Sequence, residues 1–210
     1  NYERFLGTAL LPALLHILAM TAGAASVGRE LRDRSLGDWL GPAPRNWQAG
    51  AALAGKLGVP WAMLTMAGAL ALVGATAGRG WQVPGSLAWV LLALALLVAV
   101  SLAMGGLLAA WSGSMRTALS GAGLLSAPAF AFGGVGFPLS AMPAGARAWA
   151  ESMPYTHYIR LQVEQLQMGA PLAASAGTLA GLLLATLALL GASAPALARL
   201  ARRPERWGAR

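Results

Sequence analysis

Leu87 to Trp111 is a long run of apolar and small residues without one Asp, Glu, Lys or Arg, and such a run has few places to go. About 20 apolar residues in a helix cross the roughly 30 Å hydrocarbon core of a bilayer. Four further stretches lack the same charged residues: Phe5–Gly28, Leu57–Gly78, Ala118–Leu139 and Leu172–Ala198. A helix of a soluble domain alternates a wet and a dry face, and these stretches do not. The expected fold is all-α, a polytopic transmembrane helical bundle with five spans. An apolar fraction of 57% against a charged fraction of 10% agrees with that class.

The basic residues then orient the bundle. If the segment from Arg29 to Lys56 is cytoplasmic, the inner set is Arg29, Arg32, Arg34, Arg45, Lys56, Arg116, Arg199, Arg202, Arg203, Arg206 and Arg210. The outer set is Arg4, Arg79, Arg147 and Arg160. Eleven of the 15 basic residues fall inside, so positive charge predicts a multi-pass protein of the cytoplasmic (inner) membrane with its C-terminus in the cytoplasm. An outward N-terminus without a leader predicts at least one upstream span before Asn1. The net charge of +8 is spread over span ends rather than gathered in a patch, so no nucleic-acid partner is expected. Cysteine does not occur, which excludes disulfides, thiolate metal sites and cysteine nucleophiles.

Along the chain, Pro12 falls near the outer end of the first span, where lost backbone bonding is easiest to repair. His16 has two readings: a neutral imidazole bonded to a carbonyl or a neighbouring helix, or a pathway-lining, proton-carrying group. The segment 29–56 mixes Arg29, Glu30, Arg32, Asp33, Arg34 and Asp38 with Leu31, Leu36, Trp39 and Leu40. That mixture fits a short amphipathic helix on the inner surface, followed by a Gly41-Pro42-Ala43-Pro44 break and a new helix capped by Asn46. Trp61 and Trp111 mark the inner boundary and Trp81 and Trp89 the outer one. Gly74 with Gly78, and Gly177 with Gly181, have the spacing that lets helices approach closely.

Pro128 interrupts the fourth span, and Gly133, Gly134 and Gly136 loosen its end. The outer segment 140–171 carries too few apolar residues to cross. Pro143 and Pro154 are each placed to open a short helix, and His157, Arg160, Glu164 and Gln167 share one helical stripe. Two short helices dipping into the outer leaflet account for the pattern. The chain has no phosphate-binding glycine loop, no HExxH, no carboxylate pair inside a span and no GxSxG elbow. Ser120 and Ser126 have no oriented base, which argues against an intramembrane protease. No catalytic residue, cofactor or metal is expected.

Two motifs resemble a known family. One is Arg29-Glu30, Ser35-Leu36 and Gly55-Lys56-Leu57 with Pro60; the other is Phe137-Pro138, Met142-Pro143, Met153-Pro154-Tyr155-Thr156-His157-Tyr158 and Gly169. Together they resemble the membrane (permease) subunit of type-2 ABC exporters, in its C-terminal transmembrane part. The resemblance covers nearly all of residues 1–210. It implies a cytoplasmic coupling helix within 29–56 that docks on a separate ABC ATPase subunit, with re-entrant helices in 140–171. It also implies a non-catalytic subunit, a second permease subunit as homo- or heterodimer partner, and an upstream span with an extracytoplasmic domain. The expected cargo is a drug, lipid or other amphipathic substrate moved outward; membrane lipid is a further partner.

On that basis Arg29, Glu30, Arg32, Asp33, Arg34, Asp38 and Trp39 are candidates for the ATPase contact, where complementary charge sets register. Phe137, Pro138, Met142, Pro143, Pro154, Tyr155, Thr156, His157 and Tyr158 are candidates for an outer gate, and His16 for the pathway. The sequence departs from the family where Arg34 replaces a glycine and Gly37 stands at an acidic position beside Asp38. An ion-coupled secondary transporter or channel is the alternative, and a membrane scaffold a third reading.

Overall fold

A computed structural model describes residues 7–78 and 80–207, with the backbone of residues 2–6 belonging to the first helix. Arg79 and Arg210 of the charge count, and the side chain of Arg4, lie outside the described residues. Helix accounts for 82% of the structure and no strand occurs among the described residues, so the fold is all-α. The helices are α1 (Tyr2–Arg32), α2 (Leu36–Leu40), α3 (Asn46–Ala77), α4 (Leu87–Ser112), α5 (Met115–Ser126), α6 (Ala129–Phe132), α7 (Ala144–Ser152), α8 (Pro154–Val163) and α9 (Leu172–Ala201). Four of them, α1 from Gly7, α3, α4 and α9, are long and apolar enough to cross a membrane.

Helix α4 is the axis of the bundle, touching α1, α3, α5, α8 and α9. Its 26 residues span about 39 Å, and its uniformly apolar surface suits a helix packed all round. The closest approach is to α1, and it depends on two glycines. A Cβ on Gly23 would stand 2.1 Å from the Leu102 carbonyl oxygen, and one on Gly105 would stand 2.0 Å from that of Met20. Glycine therefore sets this contact, but not at the pairs the spacing suggested. Gly74, Gly177 and Gly181 have nothing within 4 Å, and Gly78 meets only its own helix.

Helix α3 runs from Asn46 into the second span as one helix, and Ala49, Leu53 and Leu57 form its first buried face. Asn46 is the first helical residue and not the cap; the Arg45 N–H bonds the Gln48 side-chain oxygen at 2.8 Å instead. Trp61 consequently lies mid-helix, and its indole N–H donates to the Ala95 carbonyl of α4 at 2.9 Å. It links two helices and does not mark a boundary. Val59, Met63, Met66 and Leu70 make an exposed apolar stripe along α3, as Leu183, Leu184 and Leu187 do on α9. In water such stripes are a liability; in a bilayer they are the lipid face.

The expected span 118–139 is not one continuous helix. The 12-residue α5 is about 18 Å long, ends before Pro128, and is followed by the single turn of α6. The preceding turn is tight: Gly113 takes φ +65°, and the Ser114 hydroxyl accepts from the Thr117 N–H. Ten described basic residues, from Arg29 to Arg206, gather at the end of the bundle where α1, α4 and α9 finish. The opposite end carries α6, α7, α8 and the start of α9.

Candidate functional site

At the basic end, α1, α2 and the first part of α3 form an elbow. Helix α1 stops where Arg34 adopts the left-handed conformation at φ +56°, and the Ser35 N–H reaches back to the Glu30 carbonyl at 2.9 Å. That is the closure a glycine usually provides, which gives physical meaning to the arginine found there. The Glu30 carboxylate pairs with the Lys56 ammonium and accepts the Ser35 hydroxyl at 2.5 Å. Lys56 also stands over the Trp39 ring, 4.4 Å from its centroid. With Lys56 and Glu30 only 26% and 18% exposed, the pair ties α2 to both long helices.

Arg29, Arg32, Asp33, Arg34 and Asp38 are exposed around this knot, and Trp39 is half-buried beneath it. Arg32 bonds Asp33 at 2.7 and 3.1 Å and thereby holds that carboxyl below the usual range. The seven candidate residues thus divide into anchors, Glu30 and Trp39, and a charged rim. The tail backs the elbow from below. The Trp207 indole N–H donates to the Leu200 carbonyl at 2.8 Å, and a Cβ on Gly37 would meet the Trp207 ring at 3.1 Å. Gly37 therefore leaves the ring its place.

At the opposite end, α7 begins after Pro143 and α8 begins at Pro154, as the prolines predict. His157, Arg160 and Gln167 are exposed and Glu164 is half-buried, so the polar stripe lies on the outer side of α8. The other sides are deeply packed. Tyr155 and Tyr158 are fully buried. The Tyr155 hydroxyl donates to the Ala9 carbonyl at 3.0 Å, and that of Tyr158 to the Gln162 side chain at 2.8 Å. Thr156 is buried, its hydroxyl without a partner among the described residues, and His157 bonds the Glu151 carbonyl at 2.7 Å. Met142 and Pro154 are buried, whereas Phe137, Pro138 and Pro143 are exposed. Arg147 donates to the carbonyls of Leu139 and Ser140 at 3.1 and 2.9 Å, pinning the turn before α7.

His16 is fully buried between α1 and α4. Its Nδ1 lies 2.7 Å from the Ser101 hydroxyl oxygen, which itself donates to the Leu97 carbonyl. Nδ1–H is then the donor to Ser101, and Nε2 has no partner among the described residues. The partner is a neighbouring helix and carries no charge.

The decisive comparison covers the middle of this architecture. The family model described as ABC-2 type transporter matches residues 47–165, more than half of the chain, from the start of α3 to the turn after α8. The chain belongs to the ABC-2 type transporter family. No curated protein and no solved structure matches it. Membership makes it a multi-pass membrane protein and the permease component of an ABC transporter. ABC-2 permeases are transport components, generally non-catalytic themselves, that work with an ATPase subunit and commonly dimerise. Lys56 of the elbow falls inside the matched region and Glu30 before it.

Several structural residues escaped the sequence reading. Pro12 has no N–H for the Thr8 carbonyl, and the Gln162 side-chain amide supplies one at 3.0 Å. Gln165 is fully buried. Its backbone carbonyl accepts from Gly85, its side-chain oxygen from the Ser86 N–H at 3.1 Å, and its amide donates to Ala170 and Ser175. The signal was that Gln162 and Gln165 fall three residues apart, off the polar stripe.

Proposed function

We infer that the chain is the permease half of an ATP-driven exporter that moves a drug, lipid or other amphipathic substrate outward across the cytoplasmic membrane. A separate ATPase subunit powers it, and a second permease subunit completes the pathway. In this reading residues 1–210 form the transmembrane domain, the basic end and C-terminus are cytoplasmic, and α5 with α6 makes the fifth crossing. The elbow within 29–56 receives the ATPase stroke, and the segment 140–171 gates the exit.

One observation carries the reading: the Glu30–Lys56–Trp39 knot joins a charged surface turn to two membrane helices at once. A push on α2 passes into α1 and α3, because the Glu30–Lys56 ion pair joins the two long helices and Lys56 also stands over the Trp39 ring of α2. Arg29, Arg32, Asp33, Arg34 and Asp38 supply the rim on which a partner of complementary charge sets its register. Tyr155, Thr156 and Tyr158, with Met142 and Pro154, form the packed side of the gate. Phe137, Pro138, Pro143 and His157 form its exposed side. His16 serves helix packing through Ser101.

The test is co-purification of the subunit with its ATPase. Asp38→Arg should lower ATPase recovery at least fivefold while leaving the thermal midpoint of the permease unchanged. Glu30→Ala should lower both. Failure to recover any ATPase, together with transport that persists without nucleotide, would sink the reading.

A further inference from the structure

Three arginines at the basic end gather around one cavity. Arg199, Arg203 and Arg206 line a cavity of about 410 Å³ between the last turns of α4 and α9 and the tail that follows. None forms an ion pair among the described residues, whereas Arg32, Lys56 and Arg160 each have a carboxylate. Arg199 bonds only the Pro195 carbonyl of its own helix. Glu205 lines the same cavity. The C-termini of α4 and α9 each add about half a negative charge, which still leaves about one positive charge in excess.

The tail is held so that the cavity persists. Trp207 is anchored to Leu200, the Arg206 N–H bonds the Arg203 carbonyl at 3.0 Å, and Gly113 leaves the Arg206 carbonyl room at 3.5 Å from where its Cβ would be. The rest of the lining is Ser112 and Gly113 with an apolar side of Ala110, Ala196 and Leu200, and Trp111 lines the cavity while 68% exposed. A concavity with a cationic side, an apolar side and an interfacial indole fits an amphiphile better than a free ion.

We propose that this cavity binds the headgroup phosphate of an anionic phospholipid, with its glycerol region against Trp111 and Leu200. The site belongs to the membrane ends of α4 and α9 and holds whichever end faces the cytoplasm, so it stands apart from the exporter reading. Its occupant would stabilise the junction that backs α2.

The experiment uses the full chain with any subunit that co-purifies, embedded in nanodiscs of equal phosphatidylglycerol and phosphatidylcholine. Native mass spectrometry then counts the retained lipids. The wild type should keep phosphatidylglycerol over phosphatidylcholine, and R199Q/R203Q/R206Q should lose that preference at least tenfold. Trp111→Ala should weaken it severalfold. The equal-charge control R45Q/R116Q/R202Q, outside both the cavity lining and the ATPase rim, should keep it.

Loss of equal size in the control would overturn the proposal, since bulk charge would then explain binding. So would displacement of the lipid by inorganic phosphate with no dependence on Trp111. A triple variant that sheds the ATPase while its lipid count is unchanged would assign the arginines to the protein partner instead. The single variant Arg203→Gln, on an exposed side chain, reads the same preference if the triple variant is poorly produced.

Discussion

The two ends of this permease both hold a non-spanning segment against the helix termini, and they do it with different chemistry. At the basic end the fastening is ionic: Lys56 sits between the Glu30 carboxylate and the Trp39 ring. At the opposite end it is neutral, made by Tyr155, Tyr158, Gln162 and Gln165 on backbone carbonyls and amides. The contrast follows from desolvation. A charged pair survives where water still reaches part of it, and becomes expensive where it does not. A neutral side chain gives the buried end its hydrogen bonds without a charge to strip. The elbow can therefore respond to salt and to a charged partner, while the segment 140–171 is set rigidly by packing.

The largest effect should come from Gln165→Leu. It leaves the Ser86 N–H and the Ala170 carbonyl without their bonds and removes a contact to Ser175, all in one buried node. At about 1–3 kcal/mol for each stranded group, a loss of roughly 3 kcal/mol is expected. It should be read as a lowered thermal midpoint in nanodiscs, with no change between low and high salt. A salt-dependent loss would break the contrast between the two ends.

Next comes the pair formed by Pro12 and Gln162. Gln162→Leu should cost about 2 kcal/mol, because the Thr8 carbonyl loses the Gln162 donor and the buried Tyr158 hydroxyl loses its acceptor. In a Pro12→Ala background the residue-12 N–H serves the Thr8 carbonyl, so the same substitution should cost about 1 kcal/mol less, the Tyr158 part remaining. Additivity of the two changes in a double-mutant cycle would show that Gln162 is not a substitute donor.

A third measurement addresses the charged end. A cycle through Glu30→Gln and Lys56→Met should give a coupling of about 1 kcal/mol, less than the buried node and diminishing as salt screens the pair. Coupling that stays constant up to molar salt would place this pair in the same dry class as Gln165.

The sequence announced the parts of this molecule that rest on local chemistry. The chargeless run of α4, the openings of α7 and α8 at their prolines, and the outward stripe of His157, Arg160 and Gln167 needed nothing beyond spacing. Contacts between distant segments were hidden. Nothing near Pro12 names Gln162 as the repair of the Thr8 carbonyl. Among 27 glycines, Gly23 and Gly105, which let α1 and α4 touch, are not paired with a second glycine four residues away. The helix start near Asn46 was legible, but nothing in the sequence names Glu30 as the partner of Lys56. Pro128 was visible as an interruption, but its outcome, two short helices, depended on how α5 and α6 pack around it.

The smallest expected effect is at Arg34, where the elbow turns. A non-glycine residue at positive φ carries a steric penalty of about 1–2 kcal/mol, and Arg34 is the one described residue other than glycine in that region. Its replacement by glycine removes the clash but adds backbone entropy to the unfolded chain, worth roughly 0.4–1 kcal/mol in the other direction. The net for Arg34→Gly is a stabilisation of about 0.5 kcal/mol, visible as a small rise in thermal midpoint. Because the turn is closed by the Ser35 N–H on the Glu30 carbonyl, the substitution leaves the knot intact. ATPase recovery should then fall only by the loss of one rim charge. A destabilised Arg34→Gly protein would mean that the guanidinium, and not the backbone, holds the elbow in its bend.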